Sequence, residues 1–273
     1  MTINIKGALV DLSEPKIMGI LNLTPNSFYD GGKFNSLGAA VDQAKKMIEE
    51  GAFFIDLGAC STQPGAKPIS EEEEKKRLYP VLEKLTEEFP EVYFSIDTYR
   101  SAIALDCLNR GAAMINDISG GQLDPLMMKT VGDFKAPYVL MHIAGTPENM
   151  QINPQYKNVT QEVLYYFSEK IQLAYSNGIN DLIIDPGFGF GKTIEHNYTL
   201  LKNLDLFQTL QLPILAGISR KSMIHKKLGT SPEDALNGTT ALNAIALSKG
   251  ANILRVHDVK EAKECCDLLQ ALQ

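Results

Sequence analysis

The sequence predicts an α/β chain folded as a TIM-type (β/α)8 barrel, with a short N-terminal β-hairpin and an extra helix before strand eight. Three observations predict it. Eight short apolar runs rich in β-branched residues recur along the chain, and longer amphipathic stretches separate them. Eight repeats favour a closed barrel over an open sheet. The turn after the first run reads Gly19-Ile20-Leu21-Asn22-Leu23-Thr24, which lacks the glycine fingerprint of a doubly wound dinucleotide fold. The 273 residues suit one such barrel. No linker or shift in composition divides the chain, so one domain over residues 1–273 is expected.

The elements follow in order. The segment before Pro15 alternates polar and apolar residues and reads as a hairpin closing the N-terminal end of the barrel. The strand candidates are Ile17–Leu23, Phe53–Leu57, Val92–Ile96, Met114–Asn116, Tyr138–Met141, Leu182–Ile184, Pro213–Ala216 and Ile253–Val256. Helical periodicity marks Leu37–Glu50, with Ala40, Ala44, Met47 and Ile48 on one face. It marks Glu71–Glu88, with Leu78, Val81, Leu82 and Leu85 together. It also marks Gln161–Ser176, with Leu164, Phe167, Ile171 and Tyr175 as the buried face. Pro232–Lys249 reads as the extra helical element.

Hydrophobic residues make up 44% and charged residues 22%, an ordinary globular balance. The net charge of −7 and the lack of a basic stripe argue against a nucleic-acid partner. An anionic substrate must then be held by a few local cations, since the overall field repels it. No apolar run is long enough to span a bilayer, and the N-terminus lacks the apolar core of a signal peptide. Cys60, Cys107, Cys265 and Cys266 form no C-x-x-C pair and are too sparse for a disulfide framework. Reduced thiols and a cytoplasmic location are expected.

Barrel sites lie where the strands end. Strand one ends in Asn22, strand two in Asp56, strand three in Asp97 and strand four in Asn116-Asp117. Strand five ends in His142, strand six in Asp185, strand seven in Ser219-Arg220-Lys221-Ser222, and strand eight in Arg255-Val256-His257. One polar strand end can be a cap or a turn residue. Asp97 could cap the next helix, Asp185 could make an Asp-Pro turn, and His257 could cap the last helix. Eight polar ends in register converge on one pocket. Alternation sets Asn116 and Asp117 on opposite faces, so only one of them enters it. Arg255 and His257 share a face and can grip one anion.

The residue types suggest a chemistry. Asp97, Asn116 and Asp185 can take the N–H donors of a flat, nitrogen-rich heterocycle. Lys221, Arg255 and His257 follow strands seven and eight, the usual phosphate corner of the fold. Ser222 lies near a helix start that attracts anions. Asn22 can give Mg2+ an amide oxygen, with phosphate oxygens and water completing the shell. Phe190-Gly191-Lys192-Thr193 resembles the end of a P-loop, but Pro186 stands where the upstream glycine is required. There is no H-E-x-x-H and no G-x-S-x-G.

Together these segments resemble the pterin-binding barrel family and, within it, the dihydropteroate synthases. The resemblance runs from about Lys16 to the end of the chain. It is carried by Ile20 through Phe28 with Asp30-Gly31-Gly32, by Asp56-Leu57-Gly58 with Ser61-Thr62 and Pro64-Gly65-Ala66, and by Ser95-Ile96-Asp97-Thr98. Ile115 through Gly121, Met141-His142, Asp185 through Phe190, Ser219 through Ser222 and Arg255-Val256-His257 continue it in order. The resemblance implies a transferase that condenses a dihydropterin diphosphate with p-aminobenzoate and expels pyrophosphate. It implies a pterin pocket of Asp97, Asn116, Asp185 and Lys221, lined by Met141, Phe190 and Gly217. It places Asn22, Arg255 and His257 at the pyrophosphate and Mg2+, and Thr62, Pro64 and Ser222 at p-aminobenzoate. Asp97, Asp185, Lys221, Arg255 and His257 are the catalytic set it implies, in a homodimer. The sequence departs from the family pattern at Ala59-Cys60, where Gly-Glu is usual, and at Gln63, where Arg is usual. The rivals are a corrinoid methyltransferase with a similar pterin pocket and a non-catalytic pterin-binding barrel. Neither needs the Arg255/His257 clamp.

Overall fold

The computed structural model describes residues 1–23, 33–60, 69–147 and 149–272, and the side chains of all of these except 33–36. The chain opens with a hairpin of β1 (Thr2–Ile5) and β2 (Ala8–Asp11), paired antiparallel. Lys6 and Gly7 join them at φ 51° and 86°, the positive values that a two-residue hairpin turn demands.

The barrel follows. Its strands are β3 (Lys16–Asn22), β4 (Phe54–Gly58), β5 (Tyr93–Asp97), β6 (Met114–Asp117), β7 (Tyr138–Met141), β8 (Leu182–Asp185), β9 (Leu215–Ala216) and β10 (Ile253–Val256). All pair in parallel, in the order β8-β7-β6-β5-β4-β3-β10-β9. A parallel bridge from Ile184 to Ile214 links the two ends of the ring. Helices lie between the strands: α1 (Lys33–Glu49), α2 (Glu71–Glu88), α3 (Ser101–Asn109), α4 (Met127–Phe134), α5 (Val159–Ser176), α6 (Ile194–Lys202), α7 (Ser222–Leu228), α8 (Leu236–Ser248) and α9 (Val259–Gln270). The expected barrel, hairpin and extra helix, α8, are all present. A 3-10 helix at Leu204–Leu210 is an addition to the expected set.

Strand alternation sorts the side chains into two layers. Ile55, Leu57, Phe94, Ile96, Leu140 and Ile184 face the helices in the large core. Met18, Phe54, Met114, Val139, Ile183, Leu215 and Ile253 fill the barrel interior near its N-terminal end. Ile3, Ile5, Val10 and Leu12 of the hairpin complete that second cluster and close the barrel floor. Polar contacts pin the hairpin: Asn4 N–H donates to Asp181 Oδ1 at 2.7 Å, and Asn252 Nδ2 donates to the Leu12 carbonyl at 2.9 Å. Among the described residues, the hairpin covers the N-terminal end of the barrel.

Two helical expectations need correction. Tyr175 is exposed; α5 buries Val163, Phe167 and Ala174, a stripe that 100° per residue carries past Tyr175. The helix expected from Pro232 starts at Leu236, because Ser231–Ala235 folds as a turn in which the Ser231 hydroxyl donates to Asp234 Oδ2 at 3.0 Å.

Candidate active site

The same alternation that packs the barrel floor makes its upper interior polar. Two residues above six of the seven floor residues on the inward face stand Asp56 (above Phe54), Asn116 (above Met114), Met141 (above Val139), Asp185 (above Ile183), Gly217 (above Leu215) and Arg255 (above Ile253). Asp97 closes β5 on this face, beside Gly58 and Asn116 in register.

Arg255 organises the first half of the site. Its Nε donates to Asp56 Oδ2 and its Nη2 to Asp97 Oδ2, both at 2.7 Å. Asn116 Nδ2 donates to the same Asp56 oxygen at 2.9 Å. Asp56 Oδ1 and the neighbouring Ser95 hydroxyl are buried without a hydrogen-bond partner among the described residues, so this polar layer keeps spare hydrogen-bonding capacity. Burial pushes Asp97 up to about 7 against the pull of Arg255, and the Asp56 charge adds to the rise. Asn22 joins from β3: a methyl group on Gly58 would meet Asn22 Oδ1 and Asp97 Oδ2, each at 3.6 Å.

Asp185 and Lys221 form the second half. Both flank Gly217, where an added Cβ would lie 3.7 Å from Lys221 Nζ, 3.8 Å from Asp185 Oδ2 and 4.0 Å from Arg255 Cβ. The Lys221 ammonium donates to the Phe188 carbonyl and lies 4.7 Å from the centre of the Phe190 ring. Burial lowers Lys221 to about 8, opposed by Asp185 and aided by Arg255. Burial also raises the Asp185 carboxyl, while Lys221 pulls it down. A turn aims Lys221 inward: Arg220 takes φ 56° and swings its own guanidinium outward to Asp258, at 2.8 and 2.9 Å. Ser222 then opens α7 directly behind Lys221.

Met141 and Phe190 belong to an apolar cluster with Ile118, Ile143, Met150 and Tyr99, a wall suited to one face of a flat ring. His257 stands at the exposed rim, its Nδ1 3.1 Å from the Ser219 hydroxyl. Desolvation by its neighbours, then the nearby charge of Arg255, holds its pKa below the ordinary histidine value.

The seven expected polar residues, Asn22, Asp97, Asn116, Asp185, Lys221, Arg255 and His257, thus gather at one mouth. Thr62, Pro64 and Gln63 lie outside the described residues. Not every polar strand end converges. Asn116 enters the site, whereas Asp117 turns outward to Tyr138 Oη at 2.6 Å and to the backbone N–H groups of Ser119 and Gly121. Arg220 and His142 turn away as well. Arg255 meets two carboxylates, a pairing that the shared face with His257 did not predict. The Asp-Pro turn and the pocket role coexist in Asp185, whose Oδ1 accepts from Gly187 N–H at 2.7 Å. The capping alternatives fail: α3 begins only at Ser101, and Asp258 holds the position before α9.

Asp56 belongs to the site, through Arg255 and Asn116, without having been assigned to it from sequence. Inward alternation from Phe54 could have found Asp56. Cys60, one of the departures, lies at the root of the second loop, with Sγ 3.5 Å from Glu74 and 3.8 Å from Arg100. Burial and the Glu74 charge push its thiol up to about 12, so it stays protonated. Glu74 is itself satisfied by Arg100 and by the Thr98 hydroxyl at 2.7 Å.

Residues 18–257 match the family described as pterin binding enzyme. The chain is 45% identical to the dihydropteroate synthase of Escherichia coli strain K12 over 268 residues, 97% of this chain and 94% of that one. It is 44% identical to the Haemophilus influenzae dihydropteroate synthase over 264 residues, covering 96% and 95%. Among solved structures, the Yersinia pestis dihydropteroate synthase with a sulfonamide drug superposes with a TM-score of 0.94 at 42% identity, over 100% of this chain and 99% of that one. The Xanthomonas albilineans dihydropteroate synthase in complex with 7,8-dihydropteroate gives 0.89 at 36%, with the same coverage.

Proposed function

The chain belongs to the pterin-binding enzyme family and, within it, to the dihydropteroate synthases, and we propose that its barrel mouth performs that transfer with the residues described above. The reaction condenses 6-hydroxymethyl-7,8-dihydropterin diphosphate with p-aminobenzoate to give 7,8-dihydropteroate and pyrophosphate, a step of folate biosynthesis. The observation that carries this assignment is the arrangement around Gly217 and Gly58. There Asp185, Lys221, Arg255, Asp97 and Asn22 cluster at the C-terminal ends of the strands, with the apolar cluster of Met141 and Phe190 beside Lys221.

The pterin lies with its ring N–H donors on Asp97, Asn116 and Asp185, its acceptor side on Lys221, and one face on Phe190 and Met141. Such a buried polar match rejects a ring with the wrong donor pattern. Arg255 and His257 hold the diphosphate. Asn22 fits Mg2+ as a single oxygen donor for an ion shared with a diphosphate; among the described residues no cluster of acidic, His or Cys side chains forms a dedicated metal cage. When bound, Mg2+ would offset charge on the leaving pyrophosphate. The pterin methylene C–O bond breaks early, and its electron pair departs with the pyrophosphate. The carboxylates of Asp97 and Asp185 stabilise the positive charge left on the methylene. The neutral aniline nitrogen of p-aminobenzoate forms the new C–N bond with its lone pair and then releases one proton to solvent. Positioning and charge stabilisation do the work, with no covalent nucleophile. Ser222, with Thr62 and Pro64, borders the p-aminobenzoate side. A sulfonamide, which mimics p-aminobenzoate, competes there.

A cytoplasmic homodimer is the proposed working form. Four unpaired thiols support a reducing compartment. Leu228, Ile245 and Leu268 expose apolar surface on the consecutive helices α7, α8 and α9, which supports self-association. No helix among the described residues is long and apolar enough to cross a membrane. Chromatographic detection of dihydropteroate after incubation with both substrates and MgCl2 tests the function. Chelating the Mg2+ lowers the rate at least tenfold and added MgCl2 restores it; an unchanged rate removes the ion from the scheme.

A further inference from the structure

The loop after β8 is an arch of alternating glycines. Gly187, Gly189 and Gly191 take φ 71°, 83° and 63°, where a side chain would strain the backbone. A Cβ on Gly187 would also run into the His142 carbonyl oxygen, and one on Gly191 would lie 2.6 Å from the Ala144 oxygen. The arch closes around the ammonium of Lys192, which is 3% exposed. Lys192 Nζ donates to the Gly187 carbonyl, the Phe190 carbonyl and His142 Nδ1, each at 2.9 Å, with the His142 carbonyl at 3.4 Å. An ammonium has three protons, so three acceptors saturate it. His142 accepts at Nδ1, which places its single proton on Nε2. Its ring packs edge-on to Tyr166 at 4.8 Å and near Tyr156. Burial, then the Lys192 charge, lowers His142 to about 2 and keeps it neutral.

The other side of the same arch builds the pocket. Gly187 N–H donates to Asp185 Oδ1 at 2.7 Å, and the Phe188 carbonyl accepts from Lys221. The arch is also tied by Gly189 N–H to Asn197 Oδ1 at 2.7 Å and by Tyr156 Oη to the Gly191 carbonyl at 2.8 Å. We propose that Lys192 is a positioning residue for the pterin pocket, its buried ammonium fixing the arch that aims the Asp185 carboxylate and the Phe188–Lys221 pair at the bound heterocycle. The proposal rests on the reading of the site as a pterin pocket. Without the ammonium, two carbonyls and a ring nitrogen lose their donor in a dry environment, and the arch relaxes. Asp185 and Lys221 are the pocket groups tied to it. The charged groups facing Lys192 are Asp185, which favours its proton, and Lys221, which disfavours it; burial is the largest influence and lowers it to about 7. Its ammonium is therefore lost as pH rises, in the same range as that of Lys221.

The test uses the whole chain with Lys192→Met, which keeps length and removes charge. Pterin diphosphate binding is followed by calorimetry, and KM for each substrate by turnover. The expected result is a pterin Kd and KM weakened about tenfold, a p-aminobenzoate KM changed less than twofold, and a shallower alkaline loss of pterin affinity. A folded variant with pterin binding within twofold of native overturns the proposal. So does an equal loss on both substrates with an unchanged pH profile. His142→Phe keeps the ring packing and removes the Nδ1 acceptor, and it serves if Lys192→Met does not fold. It should weaken pterin binding about threefold without touching p-aminobenzoate, and unchanged binding there overturns the proposal equally. Failure of the native chain to bind the pterin would instead count against the pocket assignment itself.

Discussion

At the scale of single residues, the site works through two ionisations that burial has moved toward each other. Asp97 is raised to about 7, so its carboxylate is present only above that pH. Lys221 is lowered to about 8, so its ammonium is lost above that pH. The pterin needs both charged forms. The expected kcat/KM for the pterin diphosphate is therefore a narrow bell, falling on the acid side through about 7 and on the alkaline side through about 7 to 8 as the Lys192 and Lys221 ammoniums are lost; a flat profile from pH 6 to 9 contradicts the assignment. Asp185→Asn and Lys221→Ala should each lower kcat/KM by about a hundredfold or more, or roughly 2.7 kcal/mol of transition-state binding. Near-native turnover in either variant would remove that residue from the pocket. The side-chain identities behind these predictions were legible in the sequence, because alternation separates Asn116 from Asp117. Lys192 was not legible. Its partners are mainly backbone carbonyls, and His142 lies fifty positions away by number, so no spacing within the chain announces the contact. Arg255 was legible as a cation, but its two carboxylate partners come from β4 and β5 and appear only when the barrel closes.

At the scale of elements, most barrel strands do two jobs along one inward face: an apolar residue below and a polar or small one above. Gly217 illustrates the upper job. An added methyl there meets no atom closer than 3.7 Å, and it lies between Lys221 and Asp185. Gly217→Ala should therefore fold with a melting temperature within about 2 °C of native, since the added methyl makes only ordinary van der Waals contacts and the backbone there is unstrained. It should raise the pterin KM about tenfold by occupying ligand space. A large loss of stability with unchanged KM would mean that the position serves packing alone. Ile5 illustrates the lower job. It is fully buried in the hairpin that closes the floor. Ile5→Ala should cost about 2–5 kcal/mol in urea unfolding while leaving the activity of the folded fraction within twofold. Strand and helix order was readable because periodicity is local. Helix starts were less so: Ser231–Ala235 forms a side-chain-bonded turn where composition alone reads as helix.

At the scale of the whole molecule, a barrel with one closed end and one polar mouth leaves a single place for the chemistry. The Ile184–Ile214 bridge and the hairpin floor fix the ring, and residues from Asn22 to His257 then meet although more than two hundred positions separate them. The net charge of −7 is no obstacle to a diphosphate, because the cations Lys221 and Arg255 concentrate at that mouth, with the His257 ring beside them. The fold was legible as a whole because eight alternating repeats over this length allow few other closed arrangements. The electrostatics were not, since they depend on burial that only the assembled barrel supplies. The most direct measurement of the central claim is pyrophosphate release by the purified chain with MgCl2 and its two substrates, beside Asp185→Asn. Release that requires both the dihydropterin diphosphate and p-aminobenzoate, and that collapses in the variant, is predicted. No release above the buffer background with both substrates present, or an equal rate from the variant, would contradict it.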